Sequence, residues 1–274
     1  MSKFQILCVT MHQKDFSKLK EMNVHSDIVY ANQCDKTAFE EIIFDGHKAK
    51  MISTQTRGVG VNRNLALTYA EGEICLFADD DVCYNDDMEE KVLAEFEKNP
   101  DADVIIFHFQ SNDPHRKPPK YTKTKKWPKL ATTPWGAVRI AFRLNSVRKA
   151  NVWFTTLFGG GCIFPSGEDS MWIKALRKAG LTFYVSKETI GTVSYETSTW
   201  FTGYDEKYFY GVGACFTAIN HNTTLIKFLY MILRTKGKGH LSFSEKLFWM
   251  KQGKKGYVQM LSFDEYNEKF MNKT

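Results

Sequence analysis

Residues 73–82, Glu-Ile-Cys-Leu-Phe-Ala-Asp-Asp-Asp-Val, decide how the chain is read. Ile74, Cys75, Leu76, Phe77 and Ala78 form a compact apolar run of strand type that leads directly into Asp79, Asp80 and Asp81. An acidic cluster thus stands where a strand ends, and open α/β sheets bind ligands outside the carboxyl ends of their strands. Upstream, residues 62–70 carry Leu65, Leu67 and Tyr69 for a partly buried helix, preceded by a Gly-punctuated turn (TRGVG, 56–60) and a short strand at 50–53. Residues 4–10 (FQILCVT) and 27–31 (DIVYA) are two more strands, with helical composition around 16–22 between them. Downstream, Met88, Val92, Leu93 and Phe96 predict a helix over 87–98 that Asn99-Pro100 ends, and 103–109 (DVIIFHF) returns as a strand.

Strands alternating with helices predict an α/β fold. Residues 112–134 hold Pro114, Pro118, Pro119, Pro128 and Pro134 among lysines and read as a long irregular loop. A strand-like stretch at 137–144, a turn at Gly159 to Gly161, a helix over 168–179 and a strand at 181–186 follow. From Thr217 apolar residues mix with lysines, as in Leu225, Ile226, Leu229, Tyr230, Ile232 and Leu233, which suggests amphipathic helices. The expected division is an α/β domain at 1–216 and a basic helical C-terminal extension at 217–274.

With 274 residues, 43% hydrophobic and 25% charged, the chain is ordinary for a soluble globular protein, which excludes disordered and fibrous classes. No apolar run reaches the roughly 20 residues of a membrane-spanning helix, and Met1 is followed by no secretory pattern, so a cytoplasmic protein is expected. The six cysteines are scattered without a C-x-x-C pair, so reduced thiols are expected rather than zinc or redox chemistry. The net charge of +6 gathers in one block from Arg116 to Lys129 and another from Lys236 to Lys255, which fits anionic partners. No nucleic-acid-binding motif accompanies them.

Three adjacent aspartates repel one another and raise each other's pKa, and a divalent cation relieves this. Hard oxygen ligands suit Mg²⁺ or Mn²⁺, which bind through one or two carboxylates plus substrate phosphates and stabilise a departing diphosphate. The same residues also suit a solvated turn leading into a helix start at Asn85, Asp86 and Asp87. An apolar strand followed by D-x-D further resembles the nucleophile motif of haloacid dehalogenase-type phosphatases, although Cys83 stands where that motif has Thr or Val.

Taken in order, ILCVT, DIVYANQCD, TRGVGVNRNLALTYAEGEICLFADDDV and GGGCIFPSGEDSMWIKALRKAGLTFYVS resemble family 2 glycosyltransferases of the bacterial capsular or cell-surface polysaccharide type, over roughly residues 4–215. The resemblance implies a GT-A fold, a nucleotide-binding, Rossmann-like sandwich that makes residues 1–216 the catalytic domain, a nucleotide-sugar donor with UDP as the usual nucleotide, inversion at the transferred sugar, and a glycan or lipid-linked glycan acceptor. It implies that Asp81 and Asp79 form the D-x-D metal pair for Mn²⁺ or Mg²⁺. Asp79 and Asp80, Thr10, Asp35, Arg57 and Arg63 would then serve the donor, with Gly160 and Gly161 on the acceptor side. Three departures stand out: Asn32-Gln33-Cys34 replaces the commoner acidic pattern ahead of Asp35, Thr10-Met11-His12 replaces the usual end of the first strand, and Ser194-Tyr195-Glu196 offers no histidine to complete a metal site, His221 being possible by position alone.

Inverting transfer needs a base for the acceptor hydroxyl, and the resemblance implies Asp169, with Glu168 helping to position the acceptor. Ser166-Gly167-Glu168-Asp169 equally fits a helix cap, worth about 1 kcal/mol, and a helix N-terminus favours an ionised carboxylate in either case. Trp200 is the aromatic expected to stack on an acceptor sugar; Trp172, Phe201, Trp135 and Trp153 are weaker candidates for which core packing is the commoner role. The basic tail, with Phe228, Tyr230, Phe248 and Trp249, suits an anionic membrane surface or packing on the catalytic domain. Two rival readings remain open at this point: a D-x-D phosphatase, and a non-enzymatic membrane-binding module.

Overall fold

A computed structural model of the chain describes residues 3–111, 121–128, 135–193, 203–220 and 224–271. Its elements run β1 (Phe4–Met11), α1 (Lys18–Glu21), β2 (Asp27–Gln33), β3 (Ala38–Phe44), β4 (His47–Thr54), α2 (Val59–Thr68), β5 (Ile74–Asp79), β6 (Val82–Tyr84), α3 (Met88–Lys98) and β7 (Val104–Ser111). Then come β8 (Lys125–Lys126), a 3-10 turn (Ala137–Arg139), β9 (Ile140–Arg143), α4 (Leu144–Ala150), α5 (Glu168–Lys178), β10 (Phe183–Val193), α6 (Glu206–Ile219), α7 (Thr224–Arg234), α8 (Phe243–Gln259) and α9 (Phe263–Phe270). The chain separates into two compact units, one of residues 1–57, 61–154 and 172–198, the other of 58–60, 155–171 and 199–274.

The first unit holds one sheet in the order β3-β4-β2-β1-β5-β9-β7-β10-β6, with β8 pairing β10. β4, β2, β1 and β5 are mutually parallel, so their carboxyl ends lie along one edge. β1 alternates between two cores: Phe4, Ile6 and Cys8 join Leu19 of α1 and Met88, Val92 and Phe96 of α3, while Leu7 joins Ala66, Leu67, Val147, Ile173 and Leu176 of α2, α4 and α5. Both faces of the sheet are therefore covered, which is why the central strands read as continuous apolar runs instead of alternating ones.

Several expectations are corrected. The helix expected around 16–22 is a single turn, and the strand expected at 181–186 continues to Val193. Trp172 is no sugar platform: it is 1% exposed, stacked on Phe154 at 4.6 Å, with its Nε1 donating to the Val152 carbonyl at 3.2 Å. Trp135 is likewise buried, whereas Trp153 is exposed. β3 escapes sequence reading altogether, although Asp45 and Gly46, with φ of 47° and 83°, turn it back into β4. Such an Asp-Gly turn suits the twist of a hairpin because both residues tolerate positive φ.

In the second unit α6, α7, α8 and α9 bring together two apolar clusters, one around Phe158, Phe164, Tyr210 and Tyr266, the other around Phe209, Phe228, Ile232 and Met250. Residue 217 lies inside α6, which begins at Glu206 with Asp205 as its cap, the carboxylate accepting from the Tyr208 amide at 2.8 Å. α8 and α9 each open with a capping box, Ser242 with Glu245 and Ser262 with Glu265. All six cysteines are free thiols. No helix among the described residues is long and apolar enough to cross a membrane.

Candidate functional site

The expected donor residues of the first unit gather at the carboxyl ends of β4, β2, β1 and β5. Thr10 is the last residue but one of β1, and its neighbour Val9 is in register with Asp79, the last residue of β5. The Thr10 hydroxyl donates to the Asp80 carboxylate, to which the Gln13 side-chain amide adds a bond at 3.4 Å. Arg63, buried on α2 with its guanidinium 5.4 Å from the Phe154 ring, reaches Asp79 at 3.4 Å. Asp35 follows β2, and Arg57 follows β4; they form an ion pair of 2.5 Å while Arg57 also donates to the carbonyls of Cys34, Gln55 and Thr56.

Two buried amides unnoticed in the sequence hold this edge together. The Asn62 side chain donates to the carbonyls of Thr10 at 3.2 Å and Ala31 at 2.7 Å, tying α2 to the ends of β1 and β2. The Asn32 amide accepts from the Gln13 backbone at 3.0 Å and donates to the Gln13 carbonyl at 2.9 Å and the Ser53 hydroxyl at 3.0 Å. An asparagine inside an apolar strand run was the available signal, because a buried amide must find partners.

Electrostatics at the cluster are unfavourable. Burial, then the charges of Asp79 and Asp80, push the Asp81 carboxyl from 3.8 up to about 6. The Cys8 thiol, fully buried beneath, is raised by burial and then by the same three aspartates, so it stays neutral. Among the described residues no group of three or more His, Cys, Asp or Glu side chains is arranged to hold a metal by itself. Asp79 and Asp81 nevertheless supply hard oxygens, and a charge whose surroundings oppose it is what an incoming cation relieves. The pair fits a cation that draws its other ligands from phosphate and water.

In the second unit, the segment before α5 makes a tight loop. The Gly159 amide donates to the Phe164 carbonyl at 2.9 Å, the Phe164 amide to Leu157 at 3.0 Å, and the Gly160 carbonyl accepts from Val59 at 2.9 Å. Gly159 has φ +107°, and a Cβ placed on it would come within 2.9 Å of the Glu168 carboxyl carbon. Gly161, exposed at φ +73°, brings its backbone close to Gly58. Glu168 and Asp169 form the first turn of α5, Glu168 buried and Asp169 partly exposed. Trp200, Phe201, His221 and the 194–196 segment lie outside the described residues.

The model of the family described as "Glycosyl transferase family 2" matches residues 22–161, just over half of the chain, including β5 and the aspartates. The chain belongs to glycosyl transferase family 2. It is a glycosyltransferase, and this membership displaces the phosphatase and membrane-module readings. No curated protein matches the chain. Among solved structures it is similar to S. aureus TarS 1-349 in complex with UDP-GlcNAc, with a TM-score of 0.57 and 12% identity over 95% of this chain and 93% of that one. S. aureus TarS itself aligns with a TM-score of 0.55 and 15% identity over 93% of this chain and 43% of that one. TarS 1-349 in complex with UDP gives 0.54 and 14% identity over 97% and 77%. At these identities the likeness is one of fold, and that fold is the GT-A type.

Proposed function

We propose that this glycosyltransferase moves a sugar from a nucleoside diphosphate sugar, with UDP the first nucleotide to test, onto a hydroxyl of a glycan or lipid-linked glycan, inverting the anomeric centre. The observation that carries the reading is the row of Asp35, Arg57, Thr10, Arg63 and the Asp79 to Asp81 cluster along one edge of four parallel strands. Such an edge is where α/β folds seat nucleotides. The UDP-GlcNAc and UDP complexes of the fold neighbours support the choice of donor class.

In this scheme Asp35 faces the nucleotide base and Arg57, which it orients, stands nearby. Thr10 fixes the Asp80 carboxylate, and Arg63 fixes Asp79, so both acids are ordered before the donor arrives. Asp81 and Asp79 would hold Mn²⁺ or Mg²⁺, which when bound neutralises charge on the departing diphosphate. Asp169 takes the proton of the acceptor hydroxyl as that oxygen attacks the anomeric carbon from the side opposite the diphosphate. Glu168 orients the acceptor, and Gly160 and Gly161 leave room for it. Trp200 is assigned to the acceptor sugar face as an aromatic able to stack on a sugar, from its place in the sequence Ser198-Thr199-Trp200-Phe201.

Calorimetric titration of UDP, GDP and CDP, with and without Mn²⁺, into wild type and Asp81→Ala tests the donor assignment. Metal-dependent binding of one nucleotide that the variant loses supports it; no binding of any nucleotide rejects it. Anomeric couplings in the NMR spectrum of the product test inversion, and a retained configuration rejects Asp169 as the base of a single displacement.

A further inference from the structure

We propose that the outer face of α7 docks the protein on an anionic membrane surface. α7 is eleven residues of Thr-Leu-Ile-Lys-Phe-Leu-Tyr-Met-Ile-Leu-Arg, apolar nearly all round. A helix of that kind is normally buried on every side. Here only one side is: Phe228 and Ile232 pack with Phe209, Val212, Leu241 and Met250. Leu225, Ile226, Leu229, Tyr230 and Leu233 point away from that cluster, with between 46% and 71% of each exposed. Their i, i+1, i+4, i+5, i+8 spacing gathers them into one stripe. A stripe of five large apolar side chains on one helix is an interaction surface, unlike the scattered apolar residues of an ordinary exterior.

The charge around the stripe selects the occupant. Residues 224–240 contain Lys227, Arg234, Lys236 and Lys238 and no acid. Arg234, Lys236 and Lys238 are exposed at the end of the stripe. The turn that carries them is fixed from beneath, because the buried Lys246 ammonium donates to the carbonyls of Thr235 at 2.8 Å and Lys238 at 2.9 Å. Apolar side chains bordered by cations match a bilayer whose acyl region lies under anionic headgroups. Packing the stripe against its own symmetry mate would instead bring like charges together. Eleven residues span about 16 Å, too short to cross a bilayer, so the helix lies in the interfacial plane.

The test is co-sedimentation of the full chain with vesicles of phosphatidylcholine, alone or with about a third phosphatidylglycerol. Its readout involves no sugar transfer, so it stands apart from the donor assignment. Wild type is expected to sediment with the anionic vesicles and to be released by salt. Leu229→Gln/Leu233→Gln and Arg234→Gln/Lys236→Gln/Lys238→Gln should each weaken binding by about ten-fold or more while circular dichroism and thermal midpoints stay at wild-type values. Failure of wild type to bind, or wild-type binding by the Leu variant, overturns the proposal. So does sedimentation equilibrium showing a wild-type dimer that Leu229→Gln/Leu233→Gln dissociates, which would assign the stripe to a second copy.

Discussion

Replacing Asp81 by Asn should stabilise the protein in EDTA at neutral pH, although most substitutions destabilise. The carboxyl is raised from 3.8 to about 6 by burial and then by Asp79 and Asp80. Between those two values the folded chain holds a proton that the unfolded chain has lost, so stability falls as pH rises through this window. The ionised Asp81 costs the fold its full penalty above about pH 6 and nothing below about pH 4. At 1.36 kcal/mol per unit the ceiling is about 3 kcal/mol, and screening of a partly exposed side chain reduces it to about 1 kcal/mol. Asn keeps the shape and removes the charge.

Urea unfolding followed by tryptophan fluorescence measures this directly. At pH 7.5 in EDTA the midpoint of Asp81→Asn should lie about 0.4 M above wild type, for a slope near 2.5 kcal/mol per molar. The difference should vanish near pH 4, where wild type is also neutral at this position. Adding Mn²⁺ and the cognate nucleotide should reverse the order, because ligand at about 100 times its Kd stabilises the competent protein by about 2.7 kcal/mol and leaves the variant unchanged. A variant less stable than wild type at pH 7.5, or offset equally at both pH values, would refute the account of Asp81 as a carboxylate held against its surroundings.

Gly159→Ala, which forces a side chain onto φ +107° and within 2.5 Å of a Val59 methyl, should cost about 2–4 kcal/mol in urea melts and lower the transfer rate while nucleotide titrations stay unchanged. Asn62→Ala removes its bonds to the Thr10 and Ala31 carbonyls; a loss of about 1–3 kcal/mol and weaker nucleotide binding are expected, and calorimetry at wild-type affinity would remove Asn62 from the positioning role. Trp172→Ala, emptying the space between Phe77, Phe142 and Phe154, should cost about 3–5 kcal/mol by denaturant melts, whereas Trp153→Ala at the surface should cost less than about 0.5 kcal/mol.

What the sequence disclosed follows from how each element is buried. β1, β2 and β5 are covered on both faces and therefore spell out unbroken apolar runs, so they and the acidic cluster at the end of β5 could be read without the structure. β3 is an edge strand whose residues are mostly exposed, and its sequence, Ala-Phe-Glu-Glu-Ile-Ile-Phe, neither alternates cleanly nor runs apolar. Only the Asp-Gly turn behind it betrayed the hairpin. The start of α6 was hidden because Gly211 and Gly213 dilute its helical pattern, and its capping Asp205 has no acid or amide three residues on to complete a box. Asn32 and Asn62 were legible as polar residues, but their partners are backbone groups of distant segments and, for Asn32, the Ser53 hydroxyl, which spacing along the chain does not encode.

The acids and cations at this edge are held in two different ways, and the difference bears on how a donor would be taken up. Asp35 has Arg57, Asp79 has Arg63, and Asp80 has the Thr10 hydroxyl. These contacts keep the three carboxylates in place without ligand, so in the donor-binding role proposed for them little ordering entropy would remain to be lost when a nucleotide arrives. Asp81 is held in the opposite sense, by burial and neighbouring charge that oppose its ionised form. A cation entering with a diphosphate gains the relief of that repulsion, whereas an uncharged sugar gains none of it. Under the proposed function, a preference for a charged, metal-bearing donor would follow from the opposed charge of one carboxylate set within an otherwise satisfied row, and Asp81→Asn should remove that preference in nucleotide titrations while raising the stability of the metal-free fold.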